Sequence, residues 1–92
     1  MLSVLASGED EALLEKGMEF IKRFTERISP GKSLHIIGPA WEAVGKVNDI
    51  YRKVLYLKHT EEKILMEIKN KTEKYIEINS GFRNLHIQFD FI

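Results

Sequence analysis

The sequence has no cysteine, which excludes disulfide bonds, thiolate zinc sites and a cysteine nucleophile. It also has no excess of either charge, because 14 Lys and Arg balance 14 Asp and Glu in 92 residues. A neutral chain lacks the general positive charge with which many nucleic-acid-binding proteins attract phosphates. Its apolar runs are only a few residues long, so neither a membrane span nor a signal peptide is expected. These absences favour a cytoplasmic protein with one domain over residues 1–92.

The charges are unevenly distributed along the chain. Residues 9–29 contain six acids and four bases, and residues 61–92 contain six acids and five bases. Residues 30–60, in contrast, contain five bases and two acids. The neutral total therefore includes a basic central segment, which makes a local contact with a polyanion plausible.

Two segments have the periodicity of amphipathic helices. In residues 9–29 the apolar and small residues share one arc and the charged residues occupy the other side. Ser7 or Gly8 is the predicted N-cap of this helix. Residues 60–78 repeat the pattern, with Thr60 as the predicted N-cap.

The remaining segments predict four strands. These are residues 2–7, 33–37, 51–59 and 84–92, each short and rich in apolar or alternating residues. Residues 38–50 begin with Gly-Pro and have no clean period, so they are expected to form a long connection.

This element order, β-α-β-β-α-β, predicts an α+β fold of the ferredoxin-like type. Two right-handed crossovers would place both helices on one face of a four-stranded antiparallel sheet. The other face would be open to solvent or to a partner. The strand alternation assigns candidates to that open face, namely Arg52, Tyr56, Lys58, His86 and Gln88, with His35 as a further one.

Nothing in the sequence predicts catalysis. The three histidines, His35, His59 and His86, fall on three different predicted strands without the spacing of metal ligands. No Gly-rich loop with a following Lys-Ser or Lys-Thr is present to bind phosphates. Acylphosphatase shares the predicted topology, but it needs an Arg-bearing phosphate loop after the first strand, where this chain is acidic at Glu9 and Asp10. We therefore expect no enzymatic activity from this chain alone.

Residues 46–59 interleave basic and aromatic side chains. Cations of this kind neutralise phosphates, and aromatic faces stack unpaired bases. The alternative is that bases on an edge strand only prevent aggregation and that the tyrosines are packed. The third predicted strand lacks the glycine of RNA-recognition modules, so that module is not indicated. The candidate DNA-contacting residues are Lys46, Tyr51, Arg52, Lys53, Tyr56 and Lys58.

Trp41 is the single tryptophan of the chain and falls in the predicted long connection. One interpretation is a lid packed over the edge of the core. The other is an aromatic anchor for a protein partner or a base.

The central segment resembles the C-terminal domain of the bacterial primosomal protein N′ (PriA) family of replication-restart helicases. The matching pieces are Gly38-Pro39-Ala40, then Lys46, then Tyr51-Arg52 and the apolar run that ends at Lys58. Residues 7–11 resemble the entry to the first helix of that domain, and residues 87–90 resemble its closing strand. The chain departs from the family at Trp41, where a proline is usual, and at Ile50 and Val54, where relatives have charged or polar residues.

The resemblance implies a non-catalytic domain of a longer ATP-dependent 3′-5′ DNA helicase, here called the parent helicase. Such a domain is expected to bind single-stranded or branched DNA, the tail of single-stranded DNA-binding protein, and other domains of the parent helicase and the primosome. ATP, magnesium and zinc are expected only elsewhere in the parent helicase, and no membrane contact is expected. The candidate partner-binding residues are Trp41 and Arg52. The alternatives are a structural domain that braces the helicase lobes and a stand-alone ferredoxin-like binding module.

Overall fold

The computed structural model describes residues 1–29, 34–47 and 49–92, and the side chains of all of these except 43–47. Its elements, in chain order, are β1 (Leu2–Gly8), α1 (Glu11–Ile28), β2 (His35–Val47), β3 (Ile50–Lys58), α2 (Glu62–Ile78), a short 3-10 turn (Ser80–Phe82) and β4 (His86–Phe91). The predicted start of the second strand at residue 33 lies outside the described residues.

The strands form one antiparallel sheet in the order β2-β3-β1-β4. This order and the two helices confirm the predicted ferredoxin-like α+β fold. β1 lies between β3 and β4 at the centre of the sheet, and its Leu2, Val4 and Ala6 side chains are buried on one face. The sheet therefore has two outer edges, one on β2 and one on β4.

The core lies between the helices and one face of the sheet. Alternate residues of β1 and β3 and the apolar stripe of each helix are buried there, as the predicted periods require. The buried apolar residues are Leu2, Val4, Ala6, Leu14, Met18, Ile21, Leu55, Leu57, Leu65, Ile68 and Phe82. Neither described helix is long and apolar enough to cross a membrane.

Both helices begin later than the sequence predicted. α1 is capped by Asp10, whose Oδ1 accepts a hydrogen bond of 3.1 Å from the Leu13 amide, and not by Ser7 or Gly8. Those two residues continue β1 instead. α2 has Glu61 as its N-cap in place of Thr60, without a side-chain capping bond. The amide of Glu61 donates to His59 Nδ1 at 2.9 Å, so the His59 imidazole accepts a hydrogen bond from the backbone at the start of α2.

The predicted long connection over residues 38–50 is wrong. β2 continues through it to Val47 and pairs with β3, with register shifts between Ile37 and Ala40 and between Trp41 and Lys46. Gly38 lies at the first shift with φ of 100°, a conformation that favours glycine. Gly38-Pro39 is therefore a bulge on an edge strand, where proline is tolerated.

Candidate nucleic-acid interface

The face of the sheet that the helices leave uncovered is called the open face here. Its residues follow from the pairing register, because directly paired residues point to the same side. Leu5 at its centre is half-buried, flanked by Val54 on β3 and Gln88 on β4. The other described members are Ser3, Ser7, His35, Ile37, Ala40, Arg52, Tyr56, Lys58, His86 and Asp90.

Arg52, Tyr56 and Lys58 form a row along β3 on this face, as predicted. At ~3.3 Å per residue the row is about 20 Å long, with the tyrosine between the two cations. Glu42 Oε2 lies 4.0 Å from Arg52 Nη1, and both side chains are about two-fifths exposed. Lys58 is exposed and has no ion pair within the described part of the chain. The two cations therefore differ, since only one has a carboxylate neighbour.

His35 joins this row from the neighbouring strand. It pairs directly with Lys58, which places the two side chains about 5 Å apart at Cβ. Together they border a surface groove of about 680 Å³ that His59 and Thr60 also line. His59 is held by the start of α2, whereas His35 has no hydrogen bond to another side chain within the described residues. An anion held between His35 and Lys58 would have two nitrogen donors.

Lys53 lies on the opposite side of the sheet, toward the helices. Its Nζ is 3.3 Å from Glu15 Oε1 on α1 and 4.4 Å from the centre of the Trp41 ring. The Lys53 side chain is only 13% exposed. The Trp41 ring also lies 6.0 Å from that of Tyr51, which is half-buried against the core. Lys53 and Tyr51 thus pack between α1 and the hairpin that β2 and β3 form.

The predicted DNA-contacting residues therefore do not share one surface. Arg52, Tyr56 and Lys58 lie on the open face, whereas Tyr51 and Lys53 lie on the helix side. The Lys46 side chain lies outside the described part. The partner-binding candidates are separated in the same way, because Trp41 is in contact with Lys53 and Arg52 points the other way.

Sequence reasoning missed the two carboxylates that approach these cations. Glu42 is ten positions from Arg52 and Glu15 is 38 positions from Lys53, so helical or strand spacing does not connect either pair. If the continuation of β2 past Pro39 had been predicted, its pairing with β3 would have indicated that Glu42 lies near Arg52. The position of Glu15 beside Lys53 depends on how α1 packs against β2 and β3, and no local sequence pattern indicates that packing.

The hollow at the start of α1 has a different character. It has a volume of about 460 Å³ and is lined by Glu9 and Asp10 together with His86. The Asp10 carboxylate is already occupied by the Leu13 amide. Within the described residues no three His, Asp or Glu side chains are grouped closely enough to hold a metal ion.

Comparison with known proteins shows the fold alone. No family model matches the chain, and no curated protein matches its sequence. A crystal structure described as an amidohydrolase/peptidase from Burkholderia cenocepacia matches 99% of this chain with a TM-score of 0.60 at 11% identity. The match covers 26% of that protein's chain, so this chain spans about a quarter of its length.

Proposed function

We propose that this chain is the non-catalytic DNA- and partner-binding domain of a primosomal ATP-dependent 3′-5′ DNA helicase that restarts stalled replication forks in the bacterial cytoplasm. The observation that carries the proposal is the row of Arg52, Tyr56 and Lys58 on a sheet face that neither described helix covers. The resemblance of residues 38–58 to the primosomal family supports it independently. ATP, magnesium and zinc would be bound by other parts of the parent helicase.

The open face suits single-stranded DNA better than a duplex. Tyr56 offers an aromatic face for one unpaired base, and stacking of this kind contributes about 1–3 kcal/mol per base. Arg52 and Lys58 lie on either side of it along the strand and would contact phosphates of neighbouring nucleotides. At about 20 Å the row is long enough to contact more than one nucleotide of an extended single strand. His35 would share the phosphate held by Lys58.

The proposal predicts weak binding with a shallow dependence on salt. For single strands the slope of log K against log salt is about −0.7 per phosphate neutralised, so two contacts give about −1.4. That is far below the slope of a protein with a large basic surface. The domain would therefore add DNA contacts to a helicase that holds DNA elsewhere.

Anisotropy of a fluorescein-labelled oligothymidylate, titrated with the chain at several salt concentrations, tests this proposal. We expect Lys58→Ala to reduce the slope by about 0.7 and Tyr56→Leu to weaken binding without changing it. Lys16→Ala removes an exposed lysine from α1 and is the matched control, because Lys16 lies away from the open face. Equal effects of Lys58→Ala and Lys16→Ala, or no binding at low salt, would refute the DNA role.

A second candidate function is a structural domain that braces the lobes of the parent helicase. It is favoured by two large apolar side chains of β2, since Ile37 is 53% exposed and Trp41 is 40% exposed. Ile37 lies on the open face and Trp41 on the helix side, so a bracing lobe would cover the edge of β2 from both sides. Trp41 fluorescence measured on mixing with the rest of the helicase distinguishes the two candidates. A spectral shift on mixing, with no DNA binding in the anisotropy titration, favours bracing over DNA contact.

The proposed protein partner is the acidic tail of single-stranded DNA-binding protein. Arg52 is a described cation of the open face that could receive a carboxylate of such a tail, provided that it leaves Glu42. Trp41 would not belong to the same flat site, because it lies on the other face of the sheet. We therefore expect Arg52→Ala, and not Trp41→Phe, to weaken binding of a labelled tail peptide.

A further inference from the structure

The outer edge of β4 is an open, regular strand edge. It pairs with β1 from residue 86 to residue 91 without a register shift, and no other strand of the described residues covers its far side. The edge of β2, in contrast, is interrupted by Pro39, a glycine with positive φ and two register shifts. Bulges and prolines of that kind protect an edge from pairing with another chain, and β4 has neither.

Positions along β4 alternate between those whose backbone is hydrogen-bonded to β1 and those whose backbone faces the outer edge. The Met1 amino group donates to the Ile92 carbonyl at 3.0 Å, and the Ile92 amide donates to Met1 at 2.8 Å. In a regular antiparallel pair such bonded positions recur every second residue. Gln88 and Asp90 are therefore bonded to β1, while Ile87, Phe89 and Phe91 direct their amide and carbonyl groups to the open edge.

We propose that two copies of this chain associate by antiparallel pairing of their β4 edges, with the two-fold axis at Gln88. This register joins Ile87 to Phe89 of the second copy through outward-facing backbone groups. On the open face it places His86 opposite Asp90 of the second copy, twice by symmetry. The result is one eight-stranded sheet with an uninterrupted open face.

The side chains of β4 are complementary to themselves in this register. His86 and Asp90 are both exposed, and neither has a hydrogen bond or ion pair within the described structure. An imidazole N–H and a carboxylate satisfy each other whichever charge the imidazole carries. On the helix side Ile87 would meet Phe89, an aromatic and β-branched pair of the kind that stabilises sheets. A shift of the axis to Phe89 would place Gln88 opposite Asp90 and leave the imidazole of His86 opposite apolar Ile92.

The side of α2 that lies next to β4 also favours a second copy of the chain as the partner. Lys69 Nζ lies 5.9 Å from the centre of the Phe89 ring, so this side of the helix is next to β4. Met66, one turn earlier on that side, is an apolar side chain that is 46% exposed. A second copy would place its own α2 alongside and cover Met66. Lys69 and Glu73, which are paired at 2.6 Å, add charges of both signs to the interface.

An introduced cysteine tests the register directly, because the chain has none of its own. In Gln88→Cys the two thiols would face each other across the axis at a non-hydrogen-bonded position, where Cβ atoms are about 4.5–5.5 Å apart. We expect mild oxidation to link this variant as a dimer at least tenfold faster than Glu19→Cys, an exposed position on α1 that reports random collision. Equal rates for the two variants would overturn the proposal.

A charge exchange tests the pairing without disturbing the fold. In the Gln88→Cys background, His86→Glu would place like charges opposite each other twice, and we expect linking to slow by about fivefold or more. Adding Asp90→Lys should restore the rate, because the pairs become Glu and Lys. Circular dichroism would confirm that all variants remain folded. If the double substitution links as slowly as the single one, His86 does not face Asp90 and the register is wrong.

Discussion

The buried hydroxyl of Thr72 provides the sharpest test of how the two helices pack. Thr72 on α2 and Thr25 on α1 are both fully buried, yet their hydroxyl groups differ. Thr25 Oγ1 donates to the Lys22 carbonyl at 2.8 Å, whereas Thr72 Oγ1 has no hydrogen-bond partner among the described residues. Substitution of each by valine, which has nearly the same shape, removes one satisfied and one unsatisfied hydroxyl.

The two substitutions are expected to change the free energy of unfolding by different amounts. A buried hydroxyl without a partner costs about 1–3 kcal/mol, so Thr72→Val should stabilise the fold by about 1–2 kcal/mol. Thr25→Val loses a hydrogen bond that contributes about 0.5–1.5 kcal/mol. It gains a buried methyl group whose contribution to the free energy of unfolding is similar, so the net effect should be near zero. Helix propensity cancels, because valine and threonine have similar values. We therefore expect the two variants to differ by about 1–2 kcal/mol.

Thermal and urea unfolding followed by circular dichroism would measure this difference. For a domain of this size 1 kcal/mol shifts Tm by roughly 4–8 °C, which is readily resolved. Urea m-values should stay unchanged in both variants, since the buried surface is nearly the same. If Thr72→Val is less stable than Thr25→Val, the Thr72 hydroxyl has a partner in solution and the inferred packing of α2 is incorrect.

Three further substitutions address the hairpin, the cap and the charge of the open face. Gly38→Ala should destabilise the fold by about 1–3 kcal/mol in urea unfolding, because its Cβ would lie 2.9 Å from the Val54 carbonyl oxygen at a φ of 100°; a neutral effect would contradict the bulge. Asp10→Ala should cost about 0.5–2 kcal/mol through loss of the α1 cap, with Asp10→Asn retaining most of it; equal losses would exclude capping. Glu42→Gln should tighten oligothymidylate binding about two- to threefold at low salt, because it removes the carboxylate beside Arg52. Glu19→Gln on α1 is the control, and equal tightening by it would show a general effect of net charge.

The sequence was sufficient to predict the elements whose periodicity is internal to them. Both helices, three of the four strands and the ferredoxin-like order follow from periods of 3.6 and 2 and from the crossover rules. The alternation of β3 also assigned Arg52, Tyr56 and Lys58 to one face correctly. These predictions succeeded because each element buries one side against a common core.

β2 could not be predicted beyond Ile37 because its strand character comes from its partner. Gly38 and Pro39 are breakers on local criteria, yet β3 supplies an edge along which a bulged strand continues to Val47. The error extended to the site, since it placed Trp41 and Glu42 in a loop. In the sheet they lie on opposite sides, one against Lys53 and the other near Arg52.

The basic central segment is less basic in the folded chain than in the sequence. Lys53 lies between Glu15 and the Trp41 ring, and Arg52 lies 4.0 Å from Glu42. Of the side chains of this segment that the structure describes, Lys58 is the one lysine or arginine without a carboxylate neighbour. Attraction of phosphates by the open face would therefore be modest, and stacking on Tyr56 would carry more of the DNA affinity. Hence Tyr56→Leu should weaken oligothymidylate binding more than Lys58→Ala does at physiological salt, whereas the reverse order would indicate a binding surface dominated by charge.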